Sequence, residues 1–394
     1  MRELTPRELF DPETVTALMR EAPDGGVLSV YVDAGAGPEA GRQGAAIEVR
    51  NRLAELERNL EQEGPPERAR ALARALRRLE PELERLTSPR ESGRGRALFA
   101  PLADGEATRL AVQMPLPNRV VLDDTPFVHP LLELLDEGRP AGVVLASQDE
   151  ARLLEWRLGE LEELRRMEPE IAEHPHERSG RVGLSPSAQA STPQREQHAA
   201  RERVQALRFL DAVGGAATAL AGERGWERVL VSGGERWTEP LAAALAARLQ
   251  DVLVRDRRVL IGLDDGALRE AVTERLREDH AEREERLVRE IREAALGQGA
   301  GALGLSDVLS ALNEGRVAHL VYDPEVRYQG SVAADGSLRA AGERVGDEPV
   351  TPEPRLTERL VERAFETGAR VTPAEGAARG ALAEAGAIAA LLRW

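Results

Sequence analysis

The chain has 394 residues, a formal net charge of −16, no cysteine and no lysine, so all 53 basic residues are arginine. The 42% hydrophobic and 31% charged residues are typical of a folded globular protein, and the length predicts two or three domains. No apolar run reaches the roughly 18 residues of a membrane span, and the lack of cysteine excludes disulfides and thiol catalysis. The acidic charge argues against broad non-specific nucleic-acid binding, while local basic patches could still bind RNA, and we expect no DNA partner.

The first predicted elements are a strand, a pair of charged helices and two further strands. An apolar, β-branched run predicts a strand at 27–33. Apolar residues at helical spacing predict helices at 45–60 and 66–86, and a Gly-Pro-Pro sequence separates them into a helical hairpin. Strand patterns follow at 96–102 and 108–114, and the first region ends near residue 138.

The middle of the chain alternates strand and helix patterns. Short apolar runs predict two paired strands, then a helix, a buried strand and a second helix. These elements are expected at 142–146, 151–158, 194–213, 226–231 and 240–249. In the helix predicted at 194–213, a buried stripe is expected from the spacing of Val204, Leu207, Leu210 and Val213. The Gly214-Gly215 pair is interpreted as the end of this helix.

A polar stretch at 174–208 interrupts this pattern. It contains six arginines against three glutamates and carries Gln189, Gln194 and Gln197. A long polar segment inside a domain is usually either functional or disordered. A basic, glutamine-bearing segment on an acidic protein indicates contact with a phosphate-rich partner.

The last third of the chain again alternates helices and strands. A long charged helix is predicted at 267–295, followed by helices and strands at 306–313, 317–323, 356–366, 369–372 and 388–392. Such alternation predicts an α/β class.

Several kinds of site receive little support from the residues. The Ser232-Gly233-Gly234 turn lacks the Gly-Lys-Ser/Thr ending of a phosphate-binding loop and is interpreted as a plain strand-to-helix turn. No Gly-x-Ser-x-Gly elbow occurs. We predict no bound metal and no cofactor.

Taken in order, a series of segments resembles the bacterial relatives of archaeal and eukaryotic class 1 peptide-chain release factors and Pelota. The segments are LSVYVD, GVVLASQDEARLLEWRLGELEEL, RVQALRFLDAV, WERVLVSGGERW, GRVAHLVYD, LTERLVERAFETGARV and GAIAALLRW. They extend over 27–394, nearly the whole chain. Their order carries the resemblance.

The resemblance implies an α/β protein of three domains. Residues 1–138 would form a family-specific N-terminal α/β domain, and 139–264 an RNase H-like middle domain with a functional loop at 174–200. Residues 265–394 would form a linker helix and an α/β/α sandwich that resembles kink-turn-binding ribosomal proteins. Active members of the family place a Gly-Gly-Gln-type loop in the ribosomal peptidyl-transferase centre.

The resemblance also implies which residues act. Gln189 is the first choice for the catalytic glutamine and Gln194 the second, with Gly183 as the loop glycine. No Gly-Gly-Gln occurs anywhere, and Gly183 is six positions before Gln189. Arginines of the loop and the following helix are expected to bind RNA phosphate: Arg178, Arg181, Arg195, Arg201 and Arg203.

The expected function is release or rescue at the ribosome by hydrolysis of the peptidyl-tRNA ester, in the cytoplasm and without membrane contact. The partners would be the large ribosomal subunit and peptidyl-tRNA. A non-catalytic ribosome- or RNA-binding factor with the same fold remains an alternative. A third hypothesis is an unrelated metal-dependent enzyme that uses His174, His176 and His198.

Overall fold

The structure is a computed structural model that describes residues 1–5, 8–10, 12–35, 39–88, 90–169, 192–245, 247–297, 299–343 and 350–394. These residues form two compact units. The larger unit consists of residues 1–138 and 278–394, and the middle unit consists of residues 139–277. Among the described helices, none combines the length and the apolar character needed to cross a bilayer.

The larger unit begins with a five-stranded sheet and a helical hairpin. The strands are β1 (Arg2–Leu4), β2 (Val27–Asp33), β3 (Gly95–Pro101), β4 (Thr108–Val112) and β5 (Arg119–Asp123), in the order β1-β4-β3-β2-β5. The helices are α1 (Pro12–Arg20), α2 (Glu39–Glu63), α3 (Pro66–Thr87) and α4 (His129–Glu137). Alternate residues of β2, such as Leu28 and Val30, pack with Leu72 and Leu79 of α3. The predicted strands and the predicted hairpin are confirmed.

The middle unit contains one mixed sheet. Its strands are β6 (Ala141–Ala146), β7 (Ala151–Arg157), β8 (Glu160–Met167), β9 (Arg228–Ser232) and β10 (Leu253–Asp256), and its helices are α5 (Thr192–Arg224), α6 (Gly234–Ala244) and the start of α7 (Asp265–Leu296). The order is β10-β9-β6-β7-β8, with β6, β7 and β8 antiparallel and with β9 and β10 parallel to β6. This is the order of an RNase H-like sheet, as predicted.

Helices cover both faces of this sheet. On one face, Val213 and Ala217 of α5 and Leu241 of α6 pack against the sheet. On the other face, the indole Nε1 of Trp156 donates a hydrogen bond of 2.9 Å to Thr273 in α7. The predicted tight turn at Ser232-Gly233-Gly234 is confirmed, although α6 begins at Gly234 rather than at residue 240.

Two predictions for α5 are wrong. The helix does not stop at Gly214-Gly215 but continues to Arg224. Gly214 does not form a turn; its lack of a side chain lets α6 pack closely against α5. A Cβ atom on Gly214 would lie 2.3 Å from the backbone oxygen of Ala244 in α6. Val204 and Leu207 are also not part of the buried stripe, since 48% and 49% of their surfaces are exposed.

Alanine at Gly214 is expected to lower the free energy of unfolding of the middle unit by about 2 kcal/mol, because overpacking a tight contact costs roughly 1–3 kcal/mol. The matched control is the neighbouring Gly215, where a Cβ would meet nothing within 4 Å. Gly215→Ala is expected to stabilise the helix by about 0.5–1 kcal/mol. Denaturation followed by tryptophan fluorescence measures both, since three of the four tryptophans lie in this unit. Stabilisation by Gly214→Ala would contradict the close approach.

The rest of the larger unit is built on a second sheet. Its strands are β11 (Gly301–Leu303), β12 (Val317–Tyr322), β16 (Arg370–Pro373) and β17 (Ile388–Leu392), in the order β11-β17-β12-β16. A small sheet adds β13 (Gly330–Ala333), β14 (Leu338–Ala340) and β15 (Val350–Glu353), and the helices are α8 (Leu305–Asn313), α9 (Leu356–Glu366) and α10 (Gly376–Ala383).

Alternation along β12 and β17 places helices on both sides of the second sheet. Val321 and Ala389 pack with α7 and α10. The intervening residues Leu320 and Ala390 are also buried and point to the opposite face. This arrangement confirms the α/β class. The division into three domains at 138/139 and 264/265 stays a prediction.

Candidate functional site

The predicted loop joins β8 to α5, and most of it lies outside the described residues. This applies to the predicted residues Gly183, Gln189, Arg178 and Arg181. Gln194, Arg195 and Arg201 belong to α5, but their side chains lie outside the described part of the chain. Arg203 is the predicted site residue whose side chain is described, and it is exposed.

The two elements that hold the ends of the loop pack on the same core. Phe209 and Leu210 of α5 are buried in the main cluster of the middle unit, and Leu164 and Met167 of β8 pack against that cluster. Met167 lies opposite the core residue Ala151, and a register shift leaves Leu164 as an extra residue in β8, so both side chains can face the core although they are three positions apart. Both elements that flank the loop segment are therefore anchored in the core of the middle unit.

The described part of α5 nearest the loop presents a mixed basic and apolar surface. Arg203, Val204, Gln205, Leu207 and Arg208 are all exposed. Such a surface is suited to a partner that carries both phosphate and apolar groups, because the arginines can bind phosphate and the apolar side chains can pack against the apolar groups. We call these five residues the α5 surface.

A second arginine-rich feature lies beside β8. A cleft of about 290 Å³ is lined by Leu154, Leu161, Glu163, Asp265, Arg152, Arg166 and Arg269. The Nε of Arg152 donates to Glu163 Oε2 at 2.5 Å, and the Nε of Arg166 donates to Glu163 Oε1 at 3.1 Å. Arg152 is only 8% exposed, so its guanidinium is held in place.

The ion pairs keep these groups charged. The hydrogen bond from Arg166 is the main cause that lowers the pKa of Glu163, and the same bond raises the pKa of Arg166. The terminal nitrogen of Arg152 also lies 3.5 Å from the Asp265 carboxylate. A phosphate entering the cleft would compete with Glu163 and Asp265 for the same donors, since arginine binds carboxylate and phosphate in the same geometry.

Sequence reasoning missed the arginines of the cleft. Arg152 and Arg166 face each other because β7 pairs with β8, with Arg152 opposite Arg166 in the register. Arg269 comes from the first turns of α7. The alternation of Arg152 and Leu154 with the core residues Ala151 and Leu153 could have indicated which face they share. The register of β8 could not be read from its charged sequence.

The middle of the chain matches a known protein family. Residues 126–281, less than half of the chain, match the model of bacterial archaeo-eukaryotic release factor family 10. The match covers the whole middle unit and short flanks on either side of it. The matched range includes the loop segment, the α5 surface and the cleft.

The chain is also similar to solved structures of translation factors. An archaeal translation termination factor, aRF1, has 18% identity and a TM-score of 0.26, with coverage of 100% of this chain and 99% of that chain. Dom34 of S. cerevisiae has 9% identity and a TM-score of 0.39, with coverage of 77% and 75%. Pelota of Archaeoglobus fulgidus has 15% identity and a TM-score of 0.31, with coverage of 76% and 79%. These TM-scores are below 0.5, so no argument is built on these similarities. No curated protein matches the sequence.

Proposed function

We propose that this protein acts at the ribosome, in release or rescue, and promotes hydrolysis of the ester between peptide and tRNA through the loop 174–200. The observation that carries this proposal is the family match over residues 126–281. The match spans the middle unit, in which this loop joins β8 to α5. The proposed partners are the large ribosomal subunit and peptidyl-tRNA, which would place the protein in the cytoplasm.

The proposed chemistry needs little from the protein beyond positioning. The ester is already reactive, so the loop has to bring a water molecule within about 3 Å of the carbonyl carbon. It also has to donate a hydrogen bond to the oxyanion that develops. Gln189 is the proposed donor, with Gln194 as the second candidate, and Gly183 would allow close approach of the backbone.

Arginines around the loop would supply the contacts to RNA. Arg178, Arg181, Arg195 and Arg201 are proposed from the sequence, and Arg203 lies on the α5 surface. The adjacent Arg208 is exposed on the same helix. Because the whole chain carries a charge of −16, binding to RNA requires such local basic surfaces.

A binding-only function is the second candidate, and one observation favours it. The chain contains no Gly-Gly-Gln sequence, and Gly183 and Gln189 are six positions apart. A factor that kept the fold and lost the chemistry would still bind the ribosome. The two candidates therefore differ in release and not in binding.

Co-sedimentation with ribosomes on sucrose gradients tests ribosome binding, which both candidate functions require. We expect wild-type protein to migrate with the large subunit or the whole ribosome at low salt and to dissociate as salt rises, because phosphate contacts are screened. Arg203→Glu combined with Arg208→Glu is expected to weaken this binding at least tenfold. Migration only at the top of the gradient, at every salt concentration and with stalled complexes present, would contradict the proposal.

The matched control is Arg224→Glu, an exposed arginine at the far end of the same helix, and it is expected to bind like wild type. Equal weakening by Arg224→Glu would mean that net charge rather than the α5 surface determines binding. Peptide release from peptidyl-tRNA by wild-type protein then separates the two candidates. Binding without release would favour the binding-only factor.

A further inference from the structure

Three side chains of metal-binding type converge inside the larger unit. They are Asp136 at the end of α4 and His280 and Glu284 in α7. One ligand atom from each lies within 4.8 Å of the other two. Asp136 and Glu284 are each only 6% exposed, and the His280 side chain is 17% exposed.

The helix geometry explains why His280 and Glu284 act together. Residues four positions apart lie on the same face of an α-helix, one turn from each other. The His280 Nε2 is 3.2 Å from Glu284 Oε1. With metal–ligand bonds of about 2.0–2.2 Å, two ligands of one ion lie at most roughly 4.4 Å apart. The ligand atoms of the three residues lie within 4.8 Å of one another. Asp136, on α4, therefore needs to move by only a few tenths of an ångström for all three to bind one ion.

The carboxylate of Asp136 is held in a fixed orientation by its other neighbours. The Nε of Arg370 donates to Oδ1 at 3.1 Å, and the hydroxyl of Thr372 donates to Oδ2 at 2.5 Å. Thr372 in turn lies 2.8 Å from the Nε2 of His319. Asp136 has further partners as well, but each carboxylate oxygen carries two lone pairs, so an oxygen that accepts a hydrogen bond can also bind a metal. Such outer partners are typical of metal-binding carboxylates.

Further carboxyl groups lie near these three side chains. Burial and the adjacent carboxylates of Glu375, Glu137 and Glu284 raise the pKa of Glu133 to about 10. Asp279, the residue before His280, is 8% exposed, and its buried Oδ2 makes no hydrogen bond to any described residue. Asp279 is not one of the three converging residues, so this oxygen is not counted among the ligands.

We propose that Asp136, His280 and Glu284 bind one divalent metal ion of the zinc or manganese class. One imidazole and two carboxylates suit Zn²⁺ and Mn²⁺ better than Mg²⁺, which prefers oxygen ligands alone. The ion would link α4 to α7 within the larger unit. It is independent of the loop histidines and of peptide release.

The test is titration of the full-length, chelator-treated protein with ZnCl₂ and, separately, with MnCl₂, by isothermal calorimetry. We expect one ion per chain for at least one metal, and a higher melting temperature in its presence because only the folded chain carries the site. His280→Ala and Glu284→Gln are each expected to weaken binding at least tenfold. Glu284→Gln keeps the size of the side chain and serves if His280→Ala fails to fold.

The matched control replaces the other histidines that the sequence offers as metal ligands. The triple variant His174→Asn, His176→Asn and His198→Asn is expected to bind one ion as tightly as wild type. Loss of binding in the triple variant, or unchanged binding in both His280→Ala and Glu284→Gln, would overturn the proposal. So would the lack of stoichiometric binding of either metal to wild-type protein.

Discussion

Alanine at position 189 is expected to reduce peptide release by about 100- to 1,000-fold while ribosome binding stays unchanged. The loss of one hydrogen-bond donor to a developing oxyanion has a cost of that size in rate. The prediction follows from the proposal that Gln189 supplies this donor from the loop 174–200. Single-turnover release from peptidyl-tRNA on large subunits measures the rate, and co-sedimentation measures binding.

The control for this variant is a glutamine elsewhere in the middle unit. Gln148 is exposed in the turn between β6 and β7 and has no proposed role in binding or chemistry. Gln148→Ala is expected to release peptide at the wild-type rate. If Gln189→Ala also releases at that rate, Gln189 is not the donor, and Gln194→Ala becomes the next variant to measure.

Methionine at Arg96 is expected to lower the free energy of unfolding by about 3–5 kcal/mol. Arg96 is 5% exposed in β3, and its guanidinium closes the end of α3 and the following turn. It donates hydrogen bonds to the backbone oxygens of Leu86 at 2.9 Å, Ser88 at 2.7 Å, Glu91 at 2.5 Å and Gly93 at 3.0 Å. The bond to Leu86 is buried and the other three are partly buried. A buried carbonyl left without a donor costs roughly 1–3 kcal/mol and a partly buried one less, and methionine can donate to none of them.

Arg94, two residues earlier, provides the comparison. It pairs with Asp33 at 3.2 Å, but 41% of its side chain is exposed. Exposed ion pairs contribute less than about 1 kcal/mol, so Arg94→Met is expected to have a small effect. Urea denaturation followed by far-ultraviolet circular dichroism measures both variants. Similar losses for Arg94→Met and Arg96→Met would show that the hydrogen bonds of Arg96 do not carry the stability assigned to them.

The sequence predicted the elements whose apolar pattern is strong and local. The runs at β2, β6 and β9 are buried along almost their whole length and were recognised as strands. The strand β8 was missed because its sequence, ELEELRRM, is mostly charged and its residues are exposed or half-buried. It becomes a strand because it pairs along its length with β7, and its own sequence does not predict that pairing.

The error at Gly214 has a similar origin. Two consecutive glycines in a helical pattern indicate a helix end when only the local sequence is considered. The helix continues because α6 approaches so closely that a side chain at Gly214 would collide with Ala244. Whether a glycine ends a helix or admits a neighbour depends on the tertiary packing.

The candidate sites show the same limit. The loop glutamines could be proposed from composition and resemblance, since both are properties of a continuous segment. The grouping of Asp136 with His280 and Glu284 joins two helices that are distant in the sequence. Nothing in the residues around either helix indicates that the other is its neighbour.

The larger unit contains residues from both sides of the middle unit, and this affects the order in which the two units can fold during synthesis. Residues 139–277 are contiguous and can form their core as soon as they have been made, because compact regions fold as units. The first 138 residues lack part of their unit until residues 278–394 follow. His129, for example, pairs with the hydroxyl of Tyr322 at 2.6 Å. The segment made first would therefore be among the last to reach its final packing.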